Sequence, residues 1–439
     1  MRDLAFIGFL AALFGLGFRR PFLFVLAYVY IDMVSPQRLT YYLLNAVPIS
    51  AIAVGLAVGA WLLADDKRDV RVAPRQVLIG ALLAYCAVTT VHADFPLEAG
   101  DKWEWAWKAL AFAAFLPLTL RTRLRIEALL LFMTLSAASI IIVGGIKTLA
   151  GGGGYGQLNL MVSNNTGLYE GSIISMAAVA VIPVVLWLAK HGTLFPPDRR
   201  VRLFAHALVF ACLLIPVGTS ARTGLLCIAL LALLALRDVK RRVAYLGALA
   251  LAGAVALPYL PSSFTERMGT IRTHGADESA STRVAVWMWT LDYVREHPFG
   301  GGFDAYRQNR LRYRTAAAEG TGPGEVVVDQ ARAYHSSYFE MLGEQGWPGL
   351  ALWLMIHLGG VWRMEALRRR YREGEQVWAG ALAGALQHAH LVYLLGSAFV
   401  GIALNPFIYM LVGAQIGLDT YLARLRRAAG TRPMRLAPA

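Results

Sequence analysis

Three side chains stand out for the chemistry they could do. Arg222 lies in Thr219-Ser220-Ala221-Arg222-Thr223-Gly224, Arg283 in Ser281-Thr282-Arg283-Val284, and His335 in Tyr334-His335-Ser336-Ser337-Tyr338. A guanidinium presents a planar fork of donors that matches a phosphate. An imidazole near its ordinary pKa can take a proton from a hydroxyl. Together they describe proton transfer beside a bound anion. Each also has a plainer reading. Arg222 opens an apolar run, where a charge is costly, so it either snorkels to headgroups or binds an anionic ligand. Arg283 alone reads as a solvated charge near a helix start, and a lone histidine is more often not catalytic. The sequence predicts no metal and no nucleotide cofactor: it has no His-Glu-x-x-His, no paired cysteines, no external Asp-x-Asp and no Walker or dinucleotide motif.

The elements that must position these residues are apolar. The chain has 439 residues, 57% of them hydrophobic, against about half in ordinary soluble domains. Apolar runs recur at 4–18, 21–36, 48–64, 76–91, 104–120, 126–149, 171–189, 203–218, 221–236, 243–260, 349–362, 377–400 and 405–423. Each can cross most of a bilayer, and backbone polar groups in lipid must bond within their own segment, so these are helices. The expected fold is all-α, a polytopic integral membrane protein with about 12–13 transmembrane helices. The first run reads as a helix rather than a removable signal, because Arg19-Arg20 and a second apolar run follow it. Cys86, Cys212 and Cys227 fall inside apolar runs and read as small hydrophobes.

The net charge of +14 invites a nucleic-acid reading, but the basic residues are distributed otherwise. They collect at 65–75, 121–125, 190–202, 237–242, 363–373 and from Arg424 onward, in every second connection. That is the positive-inside pattern of cytoplasmic loops next to anionic lipid, and no nucleic acid is needed to explain it. The connections 37–47, 92–103, 150–170 and 261–348 then lie outside, and Arg222 stands at the outer end of its helix. The side on which the first residue lies is left open. Three regions follow: a transmembrane bundle at 1–260, an external loop with short helices at 261–348, and C-terminal helices with a tail at 349–439.

The long loop carries Arg283 and His335. From Arg283 to Val294 the pattern is helical and amphipathic, with Val286, Trp289 and Tyr293 near one face. His297-Pro298-Phe299-Gly300-Gly301-Gly302 reads as a helix stop and a close-packed turn, with His297 structural. Residues 338–345 form a short amphipathic helix, and Gly346-Trp347-Pro348-Gly349 a turn at the membrane surface. Trp103, Trp105 and Trp107 read as an interfacial aromatic belt. His388 and His390, inside a span, leave a buried hydrogen-bonding role and a proton relay open.

These residues resemble the O-antigen ligase family, membrane glycan transferases that share a region with O-antigen polymerases. The family's histidine pattern is matched by His335-Ser336, Gly346 and Gly349. Its membrane arginine, with Leu four residues on, is matched by Arg222 and Leu226. Its loop arginine, with a Trp and a His-Pro turn, is matched by Arg283, Trp287, His297-Pro298, Gly300 and Gly302. Over the N-terminal half, Ser35-Pro36-Gln37-Arg38-Leu39 is similar to the O-glycosylation ligases found with exosortase systems, whose external Asp-Asn-Asn stands here as Ser163-Asn164-Asn165.

The resemblance implies transfer of a glycan from an undecaprenyl-diphosphate carrier to a hydroxyl acceptor, without metal or cofactor. It places the chain in a bacterial inner membrane with 261–348 as a large periplasmic loop. Arg222 and Arg283 would grip the diphosphate, His335 would act as general base, and Ser336 and Tyr338 would help bind substrate. Trp287, Pro298, Gly300, Gly302, Gly346 and Gly349 would be structural. The acceptor is a lipid-A core sugar, a growing glycan, as for an O-antigen or exopolysaccharide polymerase, or a protein Ser/Thr. A transporter of lipid-linked sugars is the alternative from another class, but it predicts inverted halves that the sequence does not display.

Overall fold

The computed structural model describes residues 2–41, 43–44, 46–151, 168–238, 241–244, 247, 251, 278–314 and 326–430. The Ser163-Asn164-Asn165 element and most of the run 243–260 lie outside these residues. Every other apolar run coincides with a helix: α1 Arg2–Gly17, α2 Phe22–Val34, α4 Ile49–Ala64, α5 Pro74–Val91, α6 Pro96–Thr119, α7 Arg123–Gly151, α8 Gly171–His191, α9 Arg199–Gly218, α10 Arg222–Ala235, α12 Ser337–Arg370, α13 Val377–Gly396 and α14 Pro406–Gly430. A short α3, Pro36–Leu39, follows α2, and α11, Glu278–Glu296, lies in the long loop. Among the described residues, α5, Arg123–Ala150 of α7, α8 and α9 are long and apolar enough to cross a bilayer, and α2, α4 and α10 are shorter apolar helices. The chain is an all-α, multi-pass membrane protein.

Burial sorts the helices. α8 is apolar on all sides and most of its face is covered, which places it at the centre against α9, α10 and α13. α7, α9 and α10 turn Val143, Ile146, Leu203, Phe210 and Leu233 outward, the arrangement expected where the neighbour is lipid. Small residues let helices approach closely: Gly145 of α7 faces Ala211 of α9, and Gly413 and Gly417 of α14 face Leu116 and Leu120.

Ion pairs and hydrogen bonds draw the basic connections to one end of the bundle. Arg125 pairs with Asp65 at 2.6 Å, Arg121 donates to the Arg68 carbonyl at 2.7 Å and Arg123 to that of His191 at 2.6 Å. Arg424 reaches the Leu120 carbonyl at 3.2 Å, Arg426 the Tyr371 hydroxyl at 2.7 Å, and Arg237 lies 3.4 Å from Glu365. The described residues of 37–47, of 92–95, of 397–405 and of the long loop lie at the other end, where the Asp94 amide donates to the Gly301 carbonyl at 2.9 Å and the Ser337 amide to that of Ser397 at 2.8 Å. The beginning of α1 is there too, because the Tyr41 amide donates to Asp3 at 3.1 Å and the Arg2 guanidinium lies 4.1 Å over the Tyr41 ring. That settles which end holds the chain start, which charge counting left open.

One feature escaped the sequence reading. The long loop holds an antiparallel hairpin, β1 Arg310–Arg314 and β2 Val326–Gln330, with Arg310 opposite Gln330 and Arg314 opposite Val326. Three successive valines at 326–328 favour extended backbone. In α13, His390 is fully buried, with Nε2 2.8 Å from His357 Nδ1 and Nδ1 3.0 Å from Gln415 Nε2.

Candidate active site

Arg283 and His335 reach the same place by different routes. α11 buries Thr282, Val286, Thr290 and Val294, one face at helical spacing, which leaves Arg283 half-buried at the edge of that face. His335 sits two residues before α12 with φ 48°, a left-handed backbone that turns the chain sharply into the helix. Trp287 ties the two elements together. Its indole N–H donates to the Tyr334 carbonyl at 2.9 Å, and its ring stacks on Phe339 at 4.9 Å and 3°. The start of α12 is pinned from the other side by Ser337. Its amide donates to the Ser397 carbonyl at 2.8 Å, and its hydroxyl bonds the Val400 carbonyl at 2.9 Å and the Ile402 amide at 3.0 Å.

The glycine motifs form one interlocked unit. α12 breaks at Gly346, with φ 62° and ψ −167°, a conformation essentially reserved for glycine. Pro348, two residues on, suits the first turn of a restarted helix. The turn carrying Gly300 and Gly302 packs its backbone directly on this break. Gly301 N donates to the Gly343 carbonyl at 3.1 Å, Gly302 N to that of Glu344 at 2.9 Å, and Trp347 N to that of Pro298 at 3.0 Å. A Cβ on Gly346 would collide with the Pro298 carbonyl, and one on Gly300 with the Glu344 carbonyl and the Gly346 amide. The break at 346 ends a short helical stretch before the long helix restarts beyond it, as the reading of a helix ended by Gly346 expects.

Above this unit lies a cavity of about 440 Å3, lined by Arg283, His335, Tyr334 and Tyr306 together with a cluster of charged groups. That volume falls within the range of small-molecule sites, about 300–1,000 Å3. Arg283, Arg332 and His335 also line an adjoining pocket of about 100 Å3. Burial, then the charges of Arg283 and Arg332, hold His335 below the ordinary histidine value of 6.5, so the imidazole is neutral at neutral pH. A neutral imidazole beside a guanidinium can accept a proton while an anion is held next to it.

The charged cluster was not foreseen. Lys102 Nζ lies 2.7 Å from Glu340 and 2.8 Å from Glu344, with side chains 13%, 9% and 2% exposed. Glu344 also accepts from the Asp304 amide at 3.1 Å, and Glu340 from the Ala403 amide at 3.0 Å. The available signal was Glu340-x-x-x-Glu344: like charges at i,i+4 repel unless a cation sits between them. Lys102 lay hidden in the tryptophan-rich segment read as a belt, of which Trp103 and Trp105 pack on the core while Trp107 is 39% exposed.

The other sequence candidates stand around the cavity. Thr219 and Ala221 line it, and Arg222, half-buried, begins α10 immediately beyond them without being among the lining residues. Leu226, its partner in the motif, is 46% exposed. Ser336 is buried beneath the His335 turn. The Tyr338 hydroxyl donates to the Leu394 carbonyl at 3.0 Å, and its ring packs edge-on against Trp353. Neither side chain lines the cavity. Among the described residues, no group of His, Cys, Asp and Glu has a metal-binding arrangement.

Comparison with known families bears on this stretch. Residues 207–354 match the family model described as O-Antigen ligase. The chain carries an O-antigen ligase-like region. Arg222, Arg283 and His335 all fall inside it, as do the interlocked glycines. Residues 1–193 match a family of unknown function, DUF5935. No curated protein matches the chain. The cavity is not confined to the ligase-like region: Lys102 and Glu170 come from the N-terminal match, and residues 399–401 lie beyond both.

Proposed function

We propose that this protein transfers a glycan from an undecaprenyl-diphosphate carrier to a hydroxyl acceptor. His335 takes the acceptor proton, and the freed oxygen bonds to the anomeric carbon. The bond from that carbon to the diphosphate oxygen breaks, and undecaprenyl diphosphate leaves with the bonding electrons. Arg283 stabilises the charge that grows on the leaving diphosphate, with Arg222 at the cavity edge as the second guanidinium. A single displacement inverts the anomeric centre. The reading draws its support chiefly from one observation: Arg283 and His335 line the same cavity.

The basic end of the bundle then faces the cytoplasm and the cavity faces the periplasm of a bacterial inner membrane. Region 261–348 supplies Arg283 and His335 and about half of the cavity lining, and 1–260 and 349–439 complete the lining and hold it in the bilayer. Reconstitution with an undecaprenyl-diphosphate glycan and a lipid-A core, glycan or protein acceptor tests this, with product mass identifying the acceptor class. His335→Ala is expected to reduce transfer at least about 100-fold while leaving insertion intact. Arg222→Lys is expected to impair it by about tenfold or more, because a point charge replaces a fork. Unchanged transfer in His335→Ala removes the imidazole as the base.

A further inference from the structure

At the basic end of the bundle, away from the reaction cavity, lies a larger cleft of about 1170 Å3 between α8, α9, α10 and α13. Small-molecule sites run to about 1,000 Å3. The lining of this cleft divides by depth. Its mouth holds five permanent cations, Lys190, Arg237, Arg242, Arg368 and Arg372, and its described lining residues include no carboxylate. Glu365, just outside, is shared by Arg237 at 3.4 Å, Arg368 at 2.9 Å and Arg369 at 2.6 Å. One negative charge among three guanidiniums leaves the mouth with a positive excess. Deeper in, Ile182, Leu186, Leu213 and Ile228 make the wall apolar, with His388 as an exception. The Trp187 indole N–H in that wall is spent on the Trp378 carbonyl at 3.0 Å. α13 turns only small residues, Gly380, Ala381, Gly384 and Ala385, toward the space. Along α8 the lining runs from His191 in to Ile182. Nine residues at 1.5 Å each are about 14 Å, close to half of a hydrocarbon core of about 30 Å. The cleft is one leaflet deep.

We propose that this cleft is a binding site for an anionic phospholipid of the leaflet at the basic end, with its phosphate at the cationic mouth and an acyl chain along α8 and α13. Charge and depth together select that occupant. A soluble anion would satisfy the mouth and leave the apolar trough unfilled. A zwitterionic lipid would fill the trough and bring no net charge to five cations. An anionic phospholipid does both, and basic pockets between membrane helices hold such headgroups. The site shares no lining residue with the reaction cavity, and it stands whether or not the chain transfers glycans. Its occupant would touch α8, α10, the end of α12 and α13 at once, helices whose other ends lie toward the cavity.

The test is competitive lipid retention by the full-length protein, read by native mass spectrometry. The probes are phosphatidylglycerol and phosphatidylethanolamine with the same acyl chains, in equal amounts, and glycerol phosphate as the free headgroup. Phosphatidylglycerol is expected to be retained about tenfold over phosphatidylethanolamine, and glycerol phosphate should not displace it. Lys190→Gln with Arg372→Gln, both at exposed side chains, should reduce that preference about tenfold. Arg19→Gln with Arg20→Gln removes the same charge from the same end, outside the cleft, and should leave it unchanged. Ala381→Trp keeps every cation, fills the trough and should abolish retention of both lipids. Equal losses in the two charge pairs would reduce the effect to overall surface charge and overturn the site. Displacement by glycerol phosphate, or full retention in Ala381→Trp, would also overturn it, by showing that the trough holds no chain. The unaltered protein retaining neither lipid, the result if the chain's own run 243–260 occupies the cleft, overturns it as well.

Discussion

At the scale of single residues, two charges set the behaviour of the cavity. His335 serves as a base only while neutral. Because burial, Arg283 and Arg332 lower its pKa below 6.5, transfer should hold as pH falls to about 6.5 and decline only below that value. Replacing Arg332, which pairs with Asp329 at 2.8 Å, by Gln removes one lowering charge. The imidazole pKa then rises, and the acid limb of kcat/KM against pH should move to higher pH. An unmoved limb would show that another group titrates there. Lys102 works differently. Lys102→Met leaves Glu340 and Glu344, 9% and 2% exposed, without their cation, at an expected cost of about 3–5 kcal/mol. Protonating a carboxylate relieves that repulsion, so the deficit in Tm should shrink as pH is lowered. A deficit that stays constant with pH would argue that packing rather than charge is lost.

At the scale of elements, the glycine turn and the break in α12 hold the cavity floor by backbone contact. Gly346→Ala is expected to cost about 1–3 kcal/mol from backbone strain alone, with the clash at the Pro298 carbonyl added. Size-exclusion profiles in detergent should show loss of folded protein, while Trp347→Ala, at a side chain 52% exposed, should not. The role of these glycines was legible in the sequence, since a stop, a glycine run and Gly-x-x-Gly permit few backbone shapes. The helices were legible too, because lipid forces apolar runs to be helical. Which helices touch was not. Lys102 meets Glu344 across 242 residues of chain, and periodicity carries no record of such pairings. The valine strand at 326–328 went unread because it is short, lies in a polar loop and pairs with the arginine-rich Arg310–Arg314.

At the scale of the whole molecule, two ends of opposite character make topology testable. Cys86, Cys212 and Cys227 are buried, so a surface thiol reagent should report on introduced cysteines alone. Leu97→Cys, at a position 84% exposed beside the cavity end, should label from outside intact spheroplasts. Phe195→Cys, 50% exposed at the basic end, should label only after lysis. The reverse pattern would invert the proposed orientation.

The cavity draws Lys102 and Glu170 from the stretch matched by one family, and Arg283 and His335 from the stretch matched by another. A recombination joint near residue 200 would therefore cut through the reaction chamber rather than between two independent parts. The halves are constrained to be inherited as a pair, and a hybrid with a divergent first half should insert in the bilayer yet inherit a mismatched wall.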